Sequence, residues 1–129
     1  MSKAWVEVRT DNVLFPLAVR EGPQTRLLGV DATGLVTSKD GGRTWSTLGA
    51  PPAYPMTSLA ASQDGRTVYG GAPDGLFRSD DGGRTWSRTA YRGSAFAIAT
   101  TPDGWTVALV SRETDFLRSV DRGSTWHGP

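Results

Sequence analysis

One eight-residue pattern occurs three times at a constant interval, and that interval restricts the chain to a repeat architecture. The copies are residues 38–45 (SKDGGRTW), 79–86 (SDDGGRTW) and 119–126 (SVDRGSTW). Their common form is S-x-D-x-G-x-T-W, with five fixed positions of eight. The leading serines are separated by 41 and 40 residues. A unit of about 40 residues is one supersecondary element, and it buries its apolar faces only by stacking on copies of itself.

The stretches between the motifs read as short strands. In the middle repeat the pattern predicts strands at 56–62, 67–71, 76–79 and 85–89, with turns at 63–66, 72–75 and the motif itself. The third repeat gives 95–100, 106–110 and 116–119, with turns at 102–104 and 112–115. The first repeat is more diverged, with 13–19, 26–30 and 34–38. Helical periodicity never extends beyond a turn. Short strands punctuated by Gly, Pro and Asp mark an all-β chain, and the 16 Gly and 8 Pro suit many tight turns. Four antiparallel strands per 40 residues make one β-propeller blade. The expectation is one unit, 1–129, with three four-stranded blades at about 10–49, 56–89 and 95–129.

Each motif position has a physical reason. Asp40, Asp81 and Asp121 can accept backbone N–H groups as an Asx-turn does. Gly42, Gly83 and Gly123 supply positive φ, and Ser38, Ser79 and Ser119 bond within the same turn. Thr44, Thr85 and Thr125 suit a strand that begins there. Trp45, Trp86 and Trp126 should pack on neighbouring strands or blades. The other chemistry of such a loop is calcium binding. Each loop offers only one or two carboxylates and lacks a closing Glu, so no metal is assigned.

The motif resembles the Asp-box (BNR) repeat of sialidase-like β-propellers. The resemblance covers nearly the whole chain through its repeats and implies that the box is structural and remote from any catalytic centre. Relatives of this kind include sialidases, sortilin-type receptors and photosystem assembly factors. A sialidase would also bring an Arg-Ile-Pro motif, an arginine triad, a Tyr–Glu nucleophile pair and an Asp acid. Residues 15–17 (FPL) are the nearest echo of Arg-Ile-Pro and lack the arginine. Glu is confined to Glu7, Glu21 and Glu113, and of these only Glu113 is placed for catalysis.

Three blades leave an open arc, since propellers close with about four to eight. Two arcs give a six-bladed ring by homodimerisation, with the commonest symmetry of homo-oligomers. Residues 4–9 read as an extra edge strand, with Trp5 in register with the box tryptophans, able to seal a neighbouring blade by strand exchange. A piece of a larger propeller, natural or engineered, is the competing reading.

The function expected is a non-catalytic binding or scaffold module that self-assembles. The alternatives are a lectin-like glycan binder, a reduced sialidase-like hydrolase, and a propeller fragment without independent function. Candidate ligand-binding residues on the loops opposite the boxes are Tyr54, Tyr91, Arg92, Arg112 and Glu113, where tyrosine gives amphipathic contact and arginine forks a carboxylate. A protein or glycan ligand would sit at that channel mouth. His127, the single histidine, reads as a surface residue, and Trp105 as a cover for the base of the barrel or, second, as part of a partner surface. Charge is balanced at +1, so neither nucleic acid nor a membrane is an expected partner. No Cys is present, which removes disulfides and thiolate chemistry. No cofactor is expected. The start carries no apolar secretory region, which places a full-length chain in the cytoplasm.

Overall fold

The alternating pattern builds three antiparallel sheets in chain order. The computed structural model describes residues 14–21, 23–31, 34–53, 56–111 and 116–128. The first sheet runs β1 (Leu14–Glu21), β2 (Gln24–Asp31), β3 (Gly34–Ser38) and β4 (Ser46–Gly49). The second runs β5 (Ser58–Ala61), β6 (Val68–Ala72), β7 (Gly75–Ser79) and β8 (Ser87–Arg88). The third contains β9 (Ala97–Thr100), β10 (Val107–Val110) and β11 (Leu117–Ser119), in the order β11-β10-β9. Every pairing is between neighbours in sequence, so the sheets are meanders. The expected strand at 4–9 lies outside the described residues.

The third sheet departs from the expected four strands. Its fourth member is reduced to one bridge, in which Arg118 and His127 exchange two backbone hydrogen bonds of 2.9 Å. The box turn occupies the chain through Trp126, so His127 is the first residue free to join the ladder. In the second sheet β8 is also short, with two residues after Trp86, whereas β4 has four after Trp45.

Register puts equivalent residues on equivalent faces. In the first sheet Leu28 pairs with Thr37 and Val30 with Leu35. In the second Tyr69 pairs with Arg78 and Gly71 with Leu76. In the third Ala108 pairs with Arg118, and Val110 lies two residues farther along β10. Side chains alternate across a strand, so these sets face the following blade. Val30 and Leu35 meet Met56, Leu59 and Trp86 of the second sheet in one core. Tyr69 and Leu76 meet Ala95, Ile98 and Trp126 of the third in another. Fully burying such side chains contributes about 1.5–3 kcal/mol each. Backbone bonds cross the same seam, from Ala95 N to Ala72 O at 2.9 Å and from Gln63 N to Pro102 O at 2.7 Å.

Candidate functional site

The three boxes are three copies of one lock. Ser38 Oγ accepts the Gly42 N–H at 2.9 Å and donates to Asp40 Oδ1 at 2.8 Å. Ser79 and Ser119 do the same with Gly83 and Asp81, and with Gly123 and Asp121. Each Asp Oδ1 accepts the backbone N–H of the box threonine, at 3.0, 2.9 and 2.9 Å in chain order. Each Oδ2 accepts that threonine's hydroxyl, at 2.6, 2.5 and 2.6 Å. The turn needs a left-handed residue at its centre, and Gly42, Gly83 and Gly123 take φ of 94°, 99° and 94°.

Two roles in the lock differ from expectation or exceed it. Thr44 and Thr85 precede β4 and β8, and their hydroxyls clamp the carboxylates instead of starting strands. The tryptophans are also donors: Trp45, Trp86 and Trp126 Nε1 each bond to the box glycine carbonyl at 3.0 Å. Hydrogen bonds to the charged form favour it. The Thr44 hydroxyl, then its N–H and Ser38, hold Asp40 at a pKa of about 2. Thr85 and Thr125 act first on Asp81 and Asp121 and hold them well below the usual carboxylate range. These carboxylates are committed to the turn.

A smaller lock sits beside the boxes, where the sequence showed only Asp-Gly turns. Ser62 Oγ donates to Asp64 Oδ1 at 2.7 Å, and that oxygen accepts the Arg66 N–H at 3.0 Å. Thr101 Oγ1 and Asp103 Oδ1 repeat the contact at 2.7 Å, with the Trp105 N–H at 3.0 Å. The serine or threonine two residues before Asp-Gly was the signal available in the sequence. The Asp64 carboxyl is lowered first by Ser62, and Asp103 first by Thr101.

Arginines then tie blade to blade on this face. Arg26 Nη2 donates to Gly82 O at 3.2 Å, while its Nη1 donates to Thr37 Oγ1 at 3.1 Å. One blade on, Arg78 Nη1 donates to Arg122 O at 2.8 Å. Gly82 and Arg122 both follow the box Asp, so the same carbonyl is gripped in each box. Asp80 bridges Arg78 and Arg122. Arg122 is the non-glycine residue with positive φ, 63°, and its guanidinium lies 5.4 Å from the centre of the Trp105 ring. Trp105 is therefore a half-exposed platform at the blade edge (53 % exposed).

Of the expected channel-side candidates, Tyr91 and Arg92 lie among the described residues. Tyr91 is half-buried, its ring centre 5.5 Å from that of Trp126, and its hydroxyl donates to Ser94 O at 2.7 Å. Arg92 is exposed. Tyr54, Arg112 and Glu113 lie outside the described residues. Among the described residues no group of three His, Cys, Asp or Glu is placed to hold a metal ion.

The family model for the BNR/Asp-box repeat matches residues 36–47 and 77–88. Two of the three boxes are thus Asp-box repeats. Solved β-propeller structures share its fold. YCF48 bound to a D1 peptide is 21% identical with a TM-score of 0.62, over 95% of this chain and 41% of that one. An ancestral GH74 enzyme is 14% identical with a TM-score of 0.69, over 98% and 19%. The GH74 xyloglucanase from Xanthomonas campestris is 19% identical with a TM-score of 0.57, over 92% and 22%. The chain spans less than half of each of these structures. No curated protein sequence matches it.

Proposed function

We propose that the chain is a non-catalytic propeller module that closes a six-bladed ring with a second copy and offers the ring's loops to a protein or peptide ligand. One observation carries this reading. Val110 and Phe116, on the outer face of the third sheet, are 41% and 38% exposed. Their counterparts Val30, Leu35 and Leu76 are 5%, 0% and 0% exposed under a following blade. An apolar sheet face of this kind is an association surface. The recurring chemistry of the repeat, its three box carboxylates, is consumed in locking turns, which supports a binding role over acid–base catalysis. The peptide held by YCF48 is a precedent for a protein ligand on such a propeller.

Light scattering after size exclusion tests the assembly: a dimer is expected, and a monomer at high concentration refutes the ring. A glycan array with a fluorogenic sialoside assay tests the rest. Silence in both fits the protein-binding module, glycan binding alone the lectin, and turnover the hydrolase.

A further inference from the structure

The arginine relay leaves one half-made contact at each end of the arc. The carbonyl after the box Asp accepts a guanidinium in the second and third boxes, from Arg26 and Arg78. In the first box that residue is Gly41. A Cβ at Gly41 would meet nothing within 4 Å, whereas at Gly82 it would meet Arg26 Nη2 at 3.0 Å. At the other end, Arg118 occupies the position of Arg78, one residue before the box serine. It is exposed, and among the described residues its guanidinium has no bonding partner. Among the described residues, the last blade thus carries a donor without an acceptor and the first an acceptor without a donor.

The apolar surfaces are unmatched in the same sense. Trp86 packs on Val30 and Leu35 of the preceding sheet, and Trp126 on Tyr69 and Leu76. By the same register Trp45 belongs over Ala108, Val110 and Phe116. Ala97 and Ala99, paired with Val110 and Ala108, widen that face with small exposed side chains.

We infer that the outer face of the third sheet docks against the first sheet of a second copy, with Arg118 donating to the Gly41 carbonyl and Trp45 covering Val110 and Phe116. This rests on the ring-forming reading above and specifies its seam. The occupant is a second copy because donor and acceptor, and apolar face and tryptophan, lie on opposite ends of the same chain. Two units of three blades fall within the usual range of about four to eight. A two-fold ring then makes both seams identical, which uses every end.

The test is a dilution series by light scattering on the wild type, Val110→Asp, Arg118→Ala and Arg118→Lys, with circular dichroism confirming that each variant is folded. Both positions are exposed in the single chain, so the blades themselves tolerate the changes. A charge buried without a partner at the seam should weaken dimerisation about 100-fold or more. Loss of the Arg118 charge-assisted bond should weaken it about 10-fold, and lysine should recover part of that. A wild-type dimer that dissociates in this order supports the seam. A wild-type dimer indifferent to Val110→Asp and Arg118→Ala overturns the seam and leaves self-assembly standing. A monomeric wild type overturns both, and assigns the exposed face to a following blade in a longer chain.

Discussion

Replacing Gly71 by alanine tests whether backbone contact fixes the spacing of the second and third blades. Gly71 faces the third sheet, at the position held by Val30 and Val110 in the other blades. An added Cβ would lie 2.5 Å from Ala95 O, 3.0 Å from Ser58 Oγ and 3.1 Å from Ala95 Cβ. The nearest obstacle is backbone, so relief requires moving residue 95. That carbonyl accepts the Thr57 hydroxyl at 2.6 Å, and the Ala95 N–H donates to Ala72 O at 2.9 Å. Overpacking of this kind costs about 1–3 kcal/mol. Weakening the two seam bonds adds about 1 kcal/mol. Removing a strand glycine returns about 0.5–1 kcal/mol. The net loss is about 2 kcal/mol, or about 8 °C in Tm for a chain of this size. Gly70→Ala is the control. Its Cβ would run into Met56 Cε, the end of a flexible side chain, and approach Trp86 Cζ3 at 3.3 Å. Methionine adapts readily, so this loss should stay below about 1 kcal/mol. Urea unfolding followed by circular dichroism, with calorimetry, reads both. A Gly71→Ala protein as stable as wild type, or equal losses at 70 and 71, would refute the idea that the Ala95 backbone sets the spacing.

Three further changes probe the locks. Thr85→Val removes the hydroxyl from Asp81 Oδ2 and should cost about 1 kcal/mol in urea titration; the Asp81 carboxyl should also titrate at higher pH by NMR. Tyr69→Phe strands the Gly104 carbonyl, which the buried Tyr69 hydroxyl now reaches at 2.6 Å, and should lose about 1–3 kcal/mol in chemical denaturation. Acid should unfold the chain late. Asp40, Asp81 and Asp121 have lowered folded pKa values, so their stabilisation is complete above the unfolded value near 4. It is lost as pH falls through the folded values, about 2 for Asp40 and lower for the other two. A circular dichroism titration should show a midpoint below pH 4, and loss of structure between pH 5 and 7 would exclude the boxes as the cause.

The repeat made the blades legible, because a fixed turn with five set positions leaves little freedom for the strands on either side. Expected strands at 67–71, 76–79 and 106–110 fall within a residue of β6, β7 and β10. The shortened β8 and the single bridge at His127 were not legible. All three boxes release the chain directly after the tryptophan, yet β4 runs four residues, β8 two and the third copy only one bridge, so the motif fixes where the fourth strand starts and not how far it extends. The threonine clamp was missed for a related reason: a β-branched residue beside a strand looks like part of it, while its hydroxyl serves the turn. Tyr91 was legible as a loop residue, while the contact of its ring with Trp126 was not, because it joins residues 35 apart in the chain.

Contacts between blades follow a rule that single-repeat reading hides. Aligned by box, the first blade has Thr37 where the others have Arg78 and Arg118, which looks like a lost arginine. The structure returns it from a different strand: Arg26 on β2 reaches past Thr37 to the same carbonyl. The guanidinium is therefore kept while its residue position is not. What the fold requires at each seam is one cation directed at the carbonyl after the box Asp, which anchors the next turn where its backbone acceptor is otherwise exposed. On that rule the end blades become distinguishable from the middle one, although the eight-residue motif is common to all three. Among the described residues Gly41 has the acceptor without the cation and Arg118 the cation without the acceptor, so the arc is asymmetric end to end in the sense that head-to-tail closure needs.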